Sequence, residues 1–527
     1  MRSADELVIF GSWRTAILVY LAGLTVSFIL FGFWWPYWRV ADMDLWMVYG
    51  AFLYNDRLPQ EYFDHPAYLS LLLLAGWFRC LHSIGLLSVD RLSALPAAAA
   101  AGDAWTAAVR AGRVLSLILG TGFVLSFAVL LRRLVQNWRV AAFAAFFLAY
   151  SGGMAMQVRV IRTETISAGL MMLALLILLI AARSPRLSTR PLLVGIAALF
   201  SALAMLNKVQ AIFLICALPP IVLAFGSAGA NAADDFWSRS AGAKWIAAMS
   251  VAAAVLLALA AWPLVRFGIL EAAQSGFTWR PIAFGTYGIY QPLIALWLLA
   301  GMLAFARIYR VGVVETLTTI AVVIAGAALG LLALYISYQP GNVFVVMNPL
   351  EEMAHMTIYE KLAGGGDLLS LKFIVDLFQG VSELVARHTF FLSSSPRPTL
   401  FLEWVVIVAA IFAYRSGRTR LALQVAILLA IVWGIDLFGA LRGLKQEYFL
   451  YTDPLVIIAA AVLFDDCSEL RSHRFAFAIG LVLIAAHIAI SQAEPIKHTL
   501  KRDKPMMFCA PHGFYTPRIE SFSFCTQ

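Results

Sequence analysis

Apolar runs of about 20 residues recur along the whole chain and limit its possible folds more than any other feature. As a helix, a run of this length crosses roughly 30 Å of hydrocarbon. Only 13% of the 527 residues are charged, about half the share usual in soluble proteins. The pattern predicts an all-α polytopic membrane protein with thirteen transmembrane helices, the first at about Thr15 to Trp38 and the others centred near 120, 148, 173, 199, 217, 255, 297, 325, 407, 431, 459 and 482.

Four short turns between these runs carry arginine and no acidic residue. Because positive charge is retained on the cytoplasmic side, we place all four turns and the N-terminus there. Residues 65–87 are also apolar, but Arg79 and His82 interrupt them, and a span here would move every later turn to the other side. We therefore predict an interfacial helix along the outer leaflet. The arginines are Arg132, Arg133 and Arg139; Arg183, Arg186 and Arg190; Arg307 and Arg310; and Arg415, Arg418 and Arg420.

The side opposite the cytoplasm then holds the long segments. We predict a transmembrane domain over 1–490, with a first outer loop at about 39–107, a large outer loop at about 339–398, and a short C-terminal tail over 491–527. If the tail lies in an oxidising compartment, we expect Cys509 and Cys525 to form a disulfide. The net charge of +9 is then an orientation signal and not a sign of nucleic-acid binding.

Carboxylates lie at the outer boundary in two places. Asp42 and Asp44 follow the first run, where mutual repulsion and partial desolvation favour proton uptake and suit a general base or a cation ligand. An ordinary solvated loop is the alternative. Asp64 and His65 precede Pro66 at the start of the interfacial helix, where helix capping is the alternative to a functional role.

Basic residues lie at the same boundary. Arg159 and Arg162 are spaced i,i+3 and are expected on one helix face, where an anionic group should meet them. Pairing with Glu164 is the alternative. Lone cations near helix ends often extend to the interface, which is the alternative for the more scattered set of Lys208, Arg442 and Lys445.

The order of these motifs resembles the GT-C superfamily of integral-membrane glycosyltransferases. The most similar branch holds the lipid A aminoarabinose transferases, the lipopolysaccharide galacturonosyl transferases and, more distantly, the protein O-mannosyltransferases. The resemblance covers about 1–490, and two departures are Glu164 where the family usually has Asp and Tyr451 where it often has Pro. The matching residues are Asp42 and Asp44; Tyr62, Phe63, His65 and Pro66; Glu164; Lys208; and Lys445, Tyr448 and Pro454.

The resemblance implies an enzyme that transfers a sugar from a polyprenyl-phosphate donor to a cell-envelope acceptor such as lipid A or lipopolysaccharide. The site would face the periplasm of a bacterial inner membrane, and transfer would invert the anomeric carbon. Asp42 or Asp44 would act as the base, with Glu164 as a further catalytic residue. Arg159, Arg162, Lys208, Arg442 and Lys445 would stabilise the leaving phosphate, and Tyr62, His65 and Tyr448 would bind substrate.

Two questions stay open at this stage. Asp42, Asp44 and His65 could hold a divalent metal ion, but no spacing requires one, so no cofactor is certain. A secondary transporter or lipid-linked sugar flippase is the competing class. Transporters place charges near the bilayer midplane, often in repeated halves, whereas this sequence has no evident repeat and Asp436 is its main midplane charge.

Overall fold

The computed structural model describes most of the chain, and these residues form helices and contain no strand. The described ranges are 12–38, 44–58, 67–97, 100–183, 190–208, 210–227, 241–266, 284–337, 371–389, 396–440, 446–466, 474–500, 516–519 and 522.

Helices account for nearly all of the described ranges, and we number the α-helices in chain order. A π-helix over Ile29–Phe33 extends α1, and 3-10 helices cover Leu92–Ala94 and Gln446–Tyr451. The α-helices are α1 (Trp13–Phe28), α2 (Trp46–Asn55), α3 (Tyr68–Ser83), α4 (Ala101–Leu134), α5 (Trp138–Ala149), α6 (Gly152–Gln157), α7 (Glu164–Arg183), α8 (Arg190–Asn207), α9 (Ala211–Phe225), α10 (Ala241–Arg266), α11 (Phe284–Ile308), α12 (Val313–Ser337), α13 (Leu371–Thr389), α14 (Leu400–Arg415), α15 (Thr419–Ala440), α16 (Asp453–Asp466) and α17 (Arg474–Leu500).

Within these ranges, seven helices are long and apolar enough to cross a membrane. They lie in α1 with its π-helical extension, α4, α7, α8, α10, α12 and α15. Four shorter apolar helices lie in α5, α9, α11 and α17. Each of the thirteen predicted centres falls inside a helix, and the chain is a helical membrane protein, while the count of thirteen spans stays a prediction.

Helix α7 is the central helix of the bundle. Of its most apolar stretch 83% is buried by other helices, against 17–33% for the other candidate spans. Those helices therefore present broad apolar faces to lipid, whereas α7 packs against protein on nearly all sides. Its first residue, Glu164, is completely buried, so the N-terminal end of α7 is an interior site.

Glycine allows α8 and α12 to pack closely. Gly326 and Gly330 lie one turn apart on α12, a spacing that lets helix backbones approach each other in membranes. A Cβ atom added at Gly326 would lie 2.5 Å from the carbonyl oxygen of Gly195 and 3.0 Å from the backbone nitrogen of Leu199. Neither backbone atom can move without moving α8.

Gly326→Ala is therefore expected to destabilise the protein by about 1–3 kcal/mol, the usual cost of overpacking. The free energy of unfolding in mixed micelles measures the change. Gly122→Ala is the matched control, because no atom lies within 4 Å of a Cβ atom added there. If Gly326→Ala and Gly122→Ala change the free energy of unfolding equally, the close approach of α8 and α12 does not contribute to stability as proposed.

Candidate functional site

Asp44 is a buried anchor in this structure. Its Oδ2 lies 2.6 Å from Nη2 of Arg113 on α4, and its Oδ1 accepts a hydrogen bond from the backbone N–H of Ile161 at 2.6 Å. Arg113 also donates to the carbonyl oxygens of Gly32 at 3.1 Å and Trp35 at 2.7 Å. These contacts tie the start of the first outer loop to α4 and to the segment before α7. The role of Asp44 as a base stays a prediction.

Glu164 forms a second buried cluster with two cations. Its Oε1 lies 2.9 Å from Nζ of Lys208, and its Oε2 lies 3.5 Å from Nε of Arg162. Glu164 begins α7 and Lys208 directly follows α8, so each charge lies at the helix end whose dipole stabilises it. The alternative pairing of Arg162 with Glu164 is present, and Lys208 joins it. We refer to these three residues as the Glu164 cluster.

Asn207 connects the predicted interfacial helix to this cluster. Its Nδ2 donates to the carbonyl oxygen of Thr163 at 2.7 Å, and its Oδ1 accepts from the backbone N–H of Ser70 at 2.9 Å. Its carbonyl oxygen accepts from the N–H of Ala67, which adopts a left-handed backbone conformation at φ 52°. Such strain persists only where neighbouring contacts impose it, so α3 begins at a position determined by the cluster.

The predicted shared helix face of Arg159 and Arg162 is wrong. Residues 158–163 form a non-helical link, because α6 ends at Gln157 and α7 begins only at Glu164. Within this link the backbone N–H of Ile161 donates to Asp44 and not to a helical carbonyl oxygen. Arg162 turns to Glu164, whereas Arg159 donates to Ser27 at 2.5 Å and to Gln492. Nε and Nη1 of Arg159 are buried without a hydrogen-bond partner among the described residues.

The 3-10 helix Gln446–Tyr451 approaches the same region from the C-terminal part of the chain. A Cβ atom at Gly153 on α6 would lie 2.9 Å from the backbone nitrogen of Leu450, so glycine allows this contact. Tyr448 is half-buried there, and the buried Tyr451 lies within electrostatic range of Glu164. The predicted substrate residue Tyr448 is thus three positions from a residue that faces the Glu164 cluster.

Several predicted residues lie outside the described ranges. They are Asp42, Tyr62, His65, Arg442, Lys445, Cys509 and Cys525. Their roles, including the disulfide, stay predictions. In the part of the chain that the structure describes, no group of three His, Cys, Asp or Glu side chains is arranged to hold a metal ion, and the question of a divalent ion stays open because Asp42 and His65 lie outside it.

An apolar cleft of about 470 Å³ runs along α8. Its walls come from α7, α8, α9, α11 and α12, and its polar lining includes Arg190 and Glu315, which are 3.7 Å apart. Along α8 the lining extends from Arg190 to Leu206, a rise of about 24 Å at 1.5 Å per residue. Lys208 lies two residues beyond Leu206, so the cleft runs toward the end of α8 that holds the Glu164 cluster, although Arg162, Glu164 and Lys208 are not among its lining residues.

A third buried charged group was missed by the sequence analysis. Arg397 pairs with Asp436 and lies 3.3 Å from Asp453 and 3.5 Å from Glu403. His388 contributes an imidazole between Glu403 and Asp436. We call these five residues the Arg397 network. Acidic residues at the ends of apolar helices were the available signal, because buried charge in a membrane requires a partner.

No protein-family model, curated protein or solved structure matches this chain. Its class therefore follows from its own residues. The described helices define a multi-pass α-helical protein of the lipid bilayer with three buried charged groups: the Asp44–Arg113 pair, the Glu164 cluster and the Arg397 network.

Proposed function

We propose that this protein is an inverting glycosyltransferase that moves a sugar from a polyprenyl-phosphate donor to a cell-envelope acceptor. The proposal includes a GT-C arrangement of thirteen spans in a bacterial inner membrane, with the N-terminus in the cytoplasm and the site and C-terminus on the periplasmic side. The acceptor is lipid A, lipopolysaccharide or another glycan or lipid.

The observation that carries the proposal is the apolar cleft that runs along α8 toward the end of the helix where the Glu164 cluster lies. A polyprenyl phosphate has a long apolar chain and a charged head, and it needs an apolar channel adjoining buried cations. The lining along α8 supplies the channel and Lys208 with Arg162 supplies the cations. A site shaped only for a soluble sugar would not need a cleft of this length.

The chemistry assigns separate roles to these parts. A carboxylate, Asp42 or Asp44, takes the proton of the acceptor hydroxyl, whose oxygen attacks the anomeric carbon while the bond to phosphate oxygen breaks. Lys208 and Arg162 offset the charge that grows on the departing phosphate. Glu164 holds Lys208 in place and gives up part of that pairing as the phosphate gains charge.

A transporter or lipid-linked sugar flippase is the second candidate, and the Arg397 network favours it. Chains of buried acidic and histidine side chains carry protons in membrane transporters, and His388 lies between two carboxylates. The cleft suits a flipped lipid as well as a donor. Only the transferase breaks the sugar–phosphate bond, so a chemical assay separates the two.

The test is a transfer assay with purified protein in lipid nanodiscs. Polyprenyl-phosphate sugars are supplied with membrane-lipid acceptors, and mass spectrometry follows donor loss and product. Wild type is expected to consume one donor, and Lys208→Met, Glu164→Gln and one of Asp42→Asn and Asp44→Asn are expected to lower the rate by about 100-fold or more. Arg418→Met, which alters an exposed ion pair with Asp466, is expected to leave the rate unchanged.

The cleft has its own variant in the same assay. Ala327→Phe narrows the cleft and is expected to remove the preference of wild type for long-chain over short-chain donors. Leu329→Phe lies on the same helix at an exposed position that does not line the cleft and serves as its control. If the folded protein binds polyprenyl phosphate and moves it between leaflets without transferring a sugar, the result contradicts the transferase function and supports the flippase function.

A further inference from the structure

His388 makes hydrogen bonds with carboxylates on both of its ring nitrogens. Nδ1 lies 3.0 Å from both carboxylate oxygens of Glu403 on α14, and Nε2 lies 3.2 Å from Oδ2 of Asp436 on α15. All three side chains are buried. His388 belongs to the last turn of α13, so these contacts join α13 to two helices of the bundle.

The two contacts require two protons. A neutral imidazole carries one N–H donor, and its other nitrogen is an acceptor that a carboxylate oxygen would repel. Each nitrogen–carboxylate contact therefore needs a hydrogen between its atoms, and an imidazolium with two N–H groups supplies both. The His388–Glu403–Asp436 unit holds one more proton than a neutral histidine beside two carboxylates.

The surrounding charges favour this extra proton. Asp436, Asp453 and Glu403 share the single permanent cation of the network, Arg397. Oδ2 of Asp453 is buried without a hydrogen-bond partner in the described part of the chain, while its Oδ1 accepts from Thr399 at 2.9 Å. Net negative charge in a dry interior is costly, so proton binding lowers the energy of the network.

Neighbouring groups act on His388 in opposite directions. Burial disfavours the imidazolium, but the hydrogen bonds that it donates to Asp436 and Glu403 outweigh burial and the repulsion by Arg397, so the pKa of His388 is raised above its ordinary value. Near His388, the indole N–H of Trp433 donates to Glu403 at 2.6 Å, and that of Trp404 donates to the carbonyl oxygen of His388 at 2.9 Å. Both indoles orient the acceptors of the network.

We propose that the His388–Glu403–Asp436 unit is a proton-binding latch that holds the amphipathic helix α13 on the transmembrane bundle. With the proton bound, both carboxylates attract the same imidazole. After proton loss, one of the two nitrogen–carboxylate contacts becomes a repulsion between lone pairs. Helix α13 then separates from the transmembrane bundle. This inference does not depend on the proposed transfer reaction.

Helix α13 has the contacts that such a latch would control. Its Leu384 packs on Phe449 of the 3-10 helix, together with Trp433 and Leu437. Phe449 in turn lies under the guanidinium of Arg397, 5.1 Å from ring centre to Cζ. Release of α13 therefore uncovers Phe449 and changes the packing around Arg397.

The direction of the pH effect follows from the raised pKa. The contribution of His388 to holding α13 is complete below the pKa of an exposed histidine, about 6.5. It is lost as the pH rises through the higher value of the folded protein. Acidic conditions thus close the latch and alkaline conditions open it.

The test is a histidine titration by NMR of full-length protein in nanodiscs with ¹⁵N-labelled histidine. The signal absent from His388→Gln identifies His388 among the 8 histidines. In wild type, the His388 ring is expected to carry two hydrogens at neutral pH. It is expected to lose one of them at a pH above the range in which histidine ordinarily titrates. Hydrogen exchange over α13, normalised at each pH to the exchange rate of unstructured peptide, is expected to rise by up to about 10-fold per pH unit between about 6.5 and that midpoint, and to level off above it.

Two variants and a control sharpen the test. Glu403→Gln and Asp436→Asn each remove one carboxylate and are expected to lower the midpoint of His388. Glu383→Gln changes a carboxylate on the same helix that pairs with Arg387, and it is expected to leave the midpoint in place. A single ring proton on His388 at neutral pH in wild type, or α13 exchange that is independent of pH, overturns the proposal whether or not the variants fold.

Discussion

Arg397→Met is expected to lower the free energy of unfolding by about 3–5 kcal/mol, the usual cost of removing one partner from a buried ionic group. Arg397 is completely buried and is the permanent cation that Asp436, Asp453 and Glu403 share. Methionine keeps an apolar chain beside Phe449 but supplies no charge. Denaturant titration in micelles, followed by tryptophan fluorescence, measures the loss.

Two companion variants separate charge from packing. Arg418→Met removes an arginine of an exposed pair, 3.1 Å from Asp466, and is expected to cost less than about 1 kcal/mol. Adding Asp436→Asn to Arg397→Met is expected to recover part of the lost stability, because one of the uncompensated carboxylates is then neutral. An effect of Arg397→Met no larger than that of Arg418→Met would show that Arg397 does not neutralise the network.

Arg113→Met is the second substitution expected to have a large effect, about 3 kcal/mol or more. It leaves the buried carboxylate of Asp44 without its cation and removes hydrogen bonds to the carbonyl oxygens of Gly32, Trp35 and Pro36. The segment between α1 and α2 then loses its attachment to α4. Limited proteolysis within 32–44, together with denaturant titration, reports the release.

The control for this prediction lies one turn earlier on α4. Arg110 lies over the rings of Phe33 and Trp34, at 5.5 and 5.1 Å, and Arg110→Met is expected to cost about 0.5–2 kcal/mol. Adding Asp44→Asn to Arg113→Met is expected to restore stability, since asparagine still accepts the N–H of Ile161. If the double variant is no more stable than Arg113→Met, the pairing is not the source of the loss.

The single variant Asp44→Asn separates the two roles considered for Asp44. An anchoring role predicts that Asp44→Asn chiefly lowers stability, whereas a role as base predicts a folded protein that does not turn over. Asp42, two residues away, is the alternative base in the same assay.

The sequence was sufficient to predict the helical architecture, because each apolar run is long and strongly marked. It also indicated the helix after Pro66 and the possible pairing of Arg162 with Glu164. These predictions depend on local spacing, which a sequence displays directly. The wrong prediction, a shared helix face for Arg159 and Arg162, also relied on local spacing, but a short α6 ends before the pair begins.

Long-range partners could not be predicted in the same way. Asp44 and Arg113 are 69 residues apart, and Arg397 and Asp453 are 56 apart. A single arginine in an apolar helix indicates that some acidic partner exists, but not which one. Choosing the partner requires the packing of α4 against the link before α7, and of the turn before α14 against α16, which the chain's periodicity does not specify.

The short stretch from Phe449 to Asp453 lies near the Glu164 cluster and contacts the Arg397 network, and this has a consequence for biosynthesis. Tyr451 lies within electrostatic range of Glu164, while Thr452 donates to Asp436 and Asp453 pairs with Arg397. The ribosome makes Lys208 about 240 residues before Tyr451. For nearly half of translation the nascent bundle therefore contains the Glu164 cluster without the segment that later packs beside it, and the growing chain must accommodate these charges until the C-terminal helices are made.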